Sequence, residues 1–142
     1  MNQQRKFAST NFYCSISIAL MMFTAGSAAE EKITAAEMRE FIPPNTLSGR
    51  NDKQIMVHVY HDPSGKMEGV AKRQGTHYDS GNWTITDDDQ YCRKWERWRL
   101  KDLDCFHIYR LGDNHYRLES VTSKYDSRVK VREGNPEHLK VY

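Results

Sequence analysis

The stretch GNWTITDDDQYCRKWERW, residues 81–98, contains all three tryptophans of the chain, arranged around a run of aspartates. Trp83 and Ile85 alternate with two threonines, which is the period-two pattern of a half-buried strand. The run 87–89 has the composition of a solvated turn, and Trp95 follows on the return strand. Because a small core needs large apolar side chains, we predict that Trp83, Ile85 and Trp95 are core residues of a hairpin.

Sequence patterns typical of β-strands continue on both sides of this hairpin. Short runs rich in β-branched and aromatic residues recur at regular spacing, with turn-forming residues between them. They cover residues 55–61, 66–72, 77–86, 90–95, 104–111, 115–121 and 127–133. About seven such runs predict a mainly β fold, an antiparallel meander that closes into a small barrel or folds as a sandwich.

A short amphipathic helix is predicted ahead of the strands. Thr34 and Glu37 have the spacing of a capping box, and Pro43 follows the segment as a terminator. Met38 and Ile42 lie on one face of this helix and give it an apolar stripe. A helix this short is not stable alone, so we expect the stripe to pack on the meander.

The N-terminus has the three parts of a secretory signal peptide. Arg5 and Lys6 precede an apolar run at 15–23, and small residues follow at the −3 and −1 positions of a cleavage site. The run is shorter than the roughly 20 apolar residues that a membrane span needs. We therefore predict a signal peptide, residues 1–29, and a single β-rich domain, residues 30–142, that is periplasmic or secreted and has no integral membrane segment after cleavage.

Cleavage changes both the charge and the cysteine count. It takes Lys plus Arg from 21 to 19 against 19 Asp plus Glu, so the mature chain is close to neutral and nucleic acid is not an expected partner. It also removes Cys14 and leaves Cys92 and Cys105. In an oxidising compartment these two are expected to form one disulfide, which would stabilise the fold by on the order of 3 kcal/mol.

The order of the sequence pieces resembles a known family. The leader is followed by ITAAEMREFI, NTLSG, YHDPSG, GNWTITDDDQYC, CFHIYRLGDN and REGNPEHL. This order is similar to a domain-of-unknown-function family of small exported proteobacterial proteins, and the resemblance extends over nearly the whole mature chain. It implies an exported β-rich domain with a general similarity to lipocalin-like barrels. It implies no established activity and no catalytic residues.

Two groups of residues are of types that bind metals in other proteins. The run 87–89 lacks the alternating acids and the central glycine of a calcium loop. His58 and His61 are separated by two residues, which places them on opposite faces of a strand. His107 and His115 have no CxxC pair beside them to complete a zinc site. We predict no metal and no cofactor, and no nucleophile with a base and an orienting acid can be named as catalytic.

The most distinctive surface feature is RKWERWRLK, residues 93–101, where cations surround two tryptophans. Such a loop can bind an anionic polymer, a glycan or a protein. Its candidate interaction residues are Arg93, Lys94, Arg97, Trp98, Arg99 and Lys101. The alternative is a solvated loop whose Trp98 folds back onto the barrel, because charge runs are usually solvated.

Two functions follow as expectations. The first is a non-catalytic binding or interaction module whose partner is an envelope or extracellular protein, a glycan or a small ligand. The alternative is a stoichiometric protein inhibitor of an envelope-active hydrolase, and an enzyme of unknown class is a distant third. A ligand-binding barrel should have an internal apolar pocket, whereas an inhibitor should present a protruding loop with an exposed acid or aromatic tip.

Overall fold

The computed structural model describes residues 29–51, 53–122 and 125–142, so the predicted leader, apart from Ala29, lies outside the described residues. Its elements in chain order are β1 (Glu31–Lys32), α1 (Ala35–Phe41), β2 (Thr46–Arg50), β3 (Met56–His61), β4 (Lys66–Lys72), β5 (Thr76–Ile85), β6 (Tyr91–Trp95), a short 3-10 helix (Trp98–Lys101), β7 (Leu103–Gly112), β8 (His115–Ser120) and β9 (Asp126–Arg132). In these described ranges, neither helix has the length and apolar character that crossing a bilayer requires.

Strands β2 to β9 form a closed antiparallel barrel. Each strand pairs with the next one along the chain, and β9 pairs back onto β2 through Val131 opposite Leu47. The short strand β1 pairs with Tyr109 and Arg110 of β7, beyond the residues of β7 that pair with β6. The predicted mainly β fold with one short helix is therefore confirmed, and of the two arrangements that were left open the chain adopts the barrel.

The barrel has one strand more than the seven that the sequence pattern indicates, and β1 lies outside it. The additional barrel strand is β2, whose sequence TLSGR shows no alternation of apolar and polar residues. Gly49 is required there because a Cβ atom would clash with the Arg128 carbonyl of β9 and lie 2.9 Å from a methyl of Val129. Close approach of two backbones, rather than side-chain patterning, places this strand in the sheet.

One end of the barrel is closed by α1. Thr34 and Glu37 form the predicted capping box at the start of the helix. Met38 and Ile42 are fully buried in the same core cluster as Tyr91, which begins β6. The N-terminus of α1 is also held by the β5–β6 turn, because the Ala35 amide donates a 2.6 Å hydrogen bond to the Asp89 carboxylate.

The aspartate run of that turn was predicted to be a solvated turn, and the structure divides it. Asp88 is exposed, and Asp87 is exposed while it forms a 3.2 Å ion pair with Arg39 of α1. Asp89 has a φ of 56° and faces the helix. This turn therefore joins the helix to the barrel in addition to reversing the chain.

Candidate functional site

The opposite end of the barrel is open and leads into an internal cavity of about 640 Å³. This volume is within the range of pockets that hold small organic ligands. Apolar side chains from several strands form the walls, among them Leu47, Val57, Val59, Leu118 and Val129. The interior above the closed end is therefore a space with apolar side chains in its walls that is accessible from one side.

The cavity exists because the inward positions near this end are small. Gly49, Val57 and Ala71 are direct neighbours in the β2–β3–β4 register, and all three line the cavity. Neighbouring residues in register share a face of the sheet. Toward the closed end the inward positions instead carry large rings, including Tyr91 and Phe106, which are buried in the core cluster beneath α1.

The β6–β7 loop forms one side of the mouth. Trp98 packs against Trp95 with 4.7 Å between ring centroids, and both line the cavity. The rings lie over Gly69 of β4, where an added Cβ would be 2.5 Å from Trp95 Cη2 and 2.8 Å from Trp98 Cζ3. Only glycine leaves space for this pair, so the tryptophan wall depends on a residue of a different strand.

A buried carboxylate fixes this loop. Asp79 of β5 is fully buried, and its Oδ2 accepts hydrogen bonds from the backbone amides of Arg97 at 3.0 Å and Trp98 at 2.7 Å. The Arg97 Nε atom also lies 3.2 Å from Asp79 Oδ1. Hydrogen bonds to a charged acceptor are the stronger ones in proteins, so Asp79 holds Trp98 at the mouth.

Arg93 lies at the floor of the cavity, on the inward face between Tyr91 and Trp95. Its Cζ atom is 4.9 Å from the ring centroid of Phe106 and 5.8 Å from that of Trp95. Its Nε is buried and has no hydrogen-bond partner among the described residues. The floor therefore carries a partly desolvated cation that is stabilised from the side by aromatic rings.

The acid opposite Arg93 has another partner. Asp104 faces Arg93 in the β6–β7 register, but its Oδ2 lies 2.7 Å from Nε of Arg99, as an ion pair without an aligned hydrogen bond. Across the described lining of the cavity, Lys and Arg outnumber acids, with Arg50, Lys53, Arg73, Arg93 and Arg99 against Asp102. The cavity and its mouth are therefore strongly cationic, although the mature chain is close to neutral.

Below the floor is a neutral polar pair. His61 Nε2 and the Tyr91 hydroxyl are 2.6 Å apart, and both residues are fully buried. Burial lowers the pKa of His61 to about 3, and the positive charge of Arg93 lowers it further in the same direction. Burial also raises the pKa of Tyr91 to about 12. Both groups are consequently uncharged at neutral pH, and Arg93 is the charge that faces the cavity.

A second polar cluster lies on the outer surface and holds the C-terminal segment to the barrel. Glu137 accepts from Arg132 at 2.9 Å and from Lys72 at 3.3 Å, and it lies 3.9 Å from His58. The hydrogen bond from Arg132 is the main reason that the pKa of Glu137 lies below its ordinary value. The carboxylate of Glu137 is engaged by side chains of β3, β4 and β9, and we assign this cluster a structural role.

The structure separates the residues of the predicted interaction loop. Arg93, Trp98 and Arg99 line the cavity, whereas Lys94 and Arg97 are exposed on the outside of the barrel. Lys101 lies outside the residues whose side chains the structure describes. The loop is therefore divided between the interior of the barrel and its outer surface.

The other predicted site residues have structural positions. Cys92 and Cys105 are directly opposite in the β6–β7 register with their sulfurs 2.04 Å apart, which supports the predicted pairing. Trp95 is buried, and Trp83 and Ile85 are half-buried against the core clusters. Trp83 also donates its indole N–H to the backbone carbonyl of Asp62 at the closed end.

Sequence reasoning missed Asp79 and the inward position of Arg93, although period-two spacing could have found both. Asp79 is two residues before Gly81 and four before Trp83, so it lies on the inward face of β5. Arg93 lies between Tyr91 and Trp95 at the same spacing. Treating the run 93–101 as one surface concealed that its first three residues, which were also predicted to end a strand, have side chains on alternate faces of that strand.

Histidine, cysteine and acidic side chains do not cluster into a metal-binding group anywhere in the described part of the chain. His58 faces outward and His61 inward, as their spacing predicts. His107 and His115 lie on β7 and at the start of β8, and each ring contacts a backbone carbonyl through Nδ1.

Comparison of the chain with protein-family models, with curated proteins and with solved structures gave no match. The resemblance to a domain-of-unknown-function family of exported proteins therefore stays a prediction.

Proposed function

We propose that the protein is a non-catalytic binding module that holds a small, partly apolar ligand inside its barrel. The observation that carries this proposal is the internal cavity, which is open at one end and has apolar walls built from five or more inward side chains. Burial of apolar ligand surface supplies about 25 cal/mol per Å², so a ligand that fills such a space gains substantial free energy from the walls alone.

The shape of the β6–β7 loop favours ligand binding over inhibition of a hydrolase. An inhibitor of the expected kind needs an aromatic or acidic tip that projects into its target. Trp98 is instead packed on Trp95 and held by Asp79 through its backbone amide. The loop forms a wall of the cavity, where Trp98 is placed to contact a ligand inside the barrel rather than a protein outside it.

The test uses an uncharged apolar dye, Nile red, because its binding does not depend on the charge of the site. Ala71 lines the cavity, and Ala71→Phe places a ring in that space. Ala36 is exposed on α1 at the closed end, and Ala36→Phe is the matched control. We expect saturable binding of one dye by the wild type and the control, and affinity lower by about tenfold or more in Ala71→Phe, since each 1.4 kcal/mol is tenfold.

Circular dichroism and the melting temperature of each variant show whether it is folded. Equal binding by all three proteins would place the dye outside the barrel and would contradict the proposal. Absence of saturable binding by the wild type would also contradict it.

We propose further that the protein is exported and that this binding takes place in the periplasm or outside the cell. The three-part leader pattern and the pairing of Cys92 with Cys105 support this location. N-terminal sequencing of protein from the envelope or medium should begin at or near Glu30. Material that retains Met1 and stays in the cytoplasm would contradict export.

A further inference from the structure

We infer that the ligand of this cavity is an anion, a small amphipathic acid whose negative head group pairs with Arg93 at the floor while its apolar body lies against the walls. This inference rests on the proposed function, since it assigns the charge of the ligand that the cavity holds. It also assigns Arg93 as the residue that determines specificity for that charge.

The first step is that the floor of the cavity contains a buried donor that is not satisfied by the protein. Arg93 is half-buried, and its Nε is buried and has no hydrogen-bond partner in the described part of the structure. A buried polar group without a partner is costly, and a charged one more so. Phe106 and Trp95 offset part of this cost through their ring faces, but they provide no acceptor for the N–H groups.

The second step is that the acids near Arg93 do not neutralise it. Among the described residues Arg93 takes part in no ion pair shorter than 4.0 Å, and the Asp104 carboxylate is engaged by Arg99. The Tyr91 hydroxyl interacts with Arg93 but stays protonated, because burial raises the pKa of Tyr91 to about 12. Arg93 lines the cavity, so a carboxylate, sulfonate or phosphate group bound there could accept hydrogen bonds from the guanidinium N–H donors in a bidentate manner.

The third step is the charge of the entrance. Arg50, Lys53 and Arg73 are at the mouth, with Asp102 as the acid in the described lining, while the charge of Arg99 is paired with Asp104. A mouth lined by one sign of charge raises the local concentration of ligands of the opposite sign and repels cations. Anionic ligands are therefore favoured at two places: at the entrance by long-range attraction, and at the floor by direct contact with Arg93.

The walls of the cavity determine the apolar part of the ligand. Between the mouth and Arg93 the cavity is bounded by aliphatic residues such as Val57, Val59 and Leu118 and by the ring of Trp95. A fully hydrated inorganic anion would gain nothing from these contacts. An acid with an alkyl or aromatic body buries that body while its head reaches Arg93, so amphipathic acids fit the site better than simple ions.

The experiment compares matched pairs of probes by isothermal titration calorimetry at low ionic strength. Decanoate is compared with decanol, and naphthoate with naphthylmethanol, so that each pair differs in the head group and the two pairs separate an alkyl body from an aromatic one. We expect the wild type to bind the acid of at least one pair about tenfold more tightly than the alcohol, as for hydrogen bonds to a charged group.

Three variants assign the preference to one residue. Arg93→Gln removes the charge at the floor and should reduce the preference for the acid to about twofold or less, whereas Arg93→Lys, which keeps a cation, should retain most of it. Arg39→Gln is the matched control, because Arg39 is exposed on α1 at the closed end. It should leave the preference unchanged.

The outcomes separate the two proposals. Equal binding of acid and alcohol by the wild type would overturn the anion assignment and leave the binding module standing. An acid preference that persists in Arg93→Gln would overturn the role of Arg93. If neither member of either pair binds and Nile red also fails to bind, the proposed function falls together with this inference.

Discussion

The two ends of the barrel are made by the same eight strands and differ in what fills them. At the closed end, inward rings such as Tyr91 and Phe106 meet the apolar stripe of α1, and the space is occupied. At the open end the inward positions are occupied by Gly49, Val57 and Ala71, and these small residues line a cavity. The comparison teaches that side-chain volume at inward positions, and not strand number, decides which end is core and which is site.

The polar groups of the two ends follow the same division. His61 and Tyr91 at the closed end are paired with each other and are neutral. At the open end, cations line the mouth and Arg93 lies at the floor with no ion-pair partner among the described residues. Buried neutral pairs stabilise a core when their hydrogen bonds are made, whereas a charge without a partner is characteristic of a site that is completed by a ligand.

The largest expected contrast between the ends is in packing. Ile108 is 1% exposed and packs beneath α1, so Ile108→Ala should lower the free energy of unfolding by about 2–5 kcal/mol. Ile55 lies at the mouth and is half-buried, so Ile55→Ala, the same chemical change, should cost about 1 kcal/mol or less. Urea denaturation of the two variants measures both values. A cost at Ile55 as large as that at Ile108 would show that the open end is also part of the core.

The next contrast is in pH dependence. His61 has a folded pKa of about 3, below its usual value, so the unfolded chain binds the proton more readily. Stability from this group is complete above about pH 6.5 and is lost as the pH falls toward 3, with a loss of about 2 kcal/mol already at pH 5. His61→Gln keeps a hydrogen-bonding group beside Tyr91 and should remove this part of the acid sensitivity.

The control for His61 comes from the open end. His77 is exposed at the rim of the cavity, and His77→Gln should retain the pH dependence of the wild type. Chemical denaturation of the three proteins between pH 7.5 and pH 5 provides the comparison, with about 1.4 kcal/mol corresponding to one pKa unit. If His61→Gln loses stability on acidification as steeply as the wild type, the neutral pair is not responsible.

Much of the fold could be predicted because local pattern and tertiary structure agree. Trp83 and Ile85 alternate with polar residues, and the capping box at Thr34 and Glu37 marks the helix start. Strand β2 could not be found in this way, because Gly49 is there to allow a neighbouring backbone to approach. The signal for such a strand is a contact with β9, about 80 residues away in the chain, and no local window contains it.

The candidate site was harder to predict than the fold for a related reason. A cavity results from small residues on β2, β3 and β4 that meet only when the sheet closes. The cationic run 93–101 is visible in the sequence, but its division into an inward Arg93 and an outward Lys94 depends on where β6 ends. Trp95 was already predicted to lie on this strand, so period-two spacing from Trp95 gives the inward position of Arg93, and spacing from Trp83 gives that of Asp79 in the same way.

The smallest expected effect on stability should be the most informative about the mouth. Asp79→Asn can keep a carbonyl oxygen for the backbone amides of Arg97 and Trp98, but it replaces Oδ1, which accepts from the Arg97 Nε–H, with an NH2 group, so we expect a loss of about 1 kcal/mol. Because hydrogen bonds to a neutral amide are weaker than those to a carboxylate, Trp98 would be held less firmly, and acrylamide should quench tryptophan emission more strongly than in the wild type. Asp113→Asn is the control, since Asp113 lies in the exposed β7–β8 turn with a φ of 49° that asparagine tolerates equally well. Quenching that is unchanged in Asp79→Asn would mean that stacking on Trp95 alone fixes the wall, and that the position of Trp98 does not depend on the charge of the buried carboxylate.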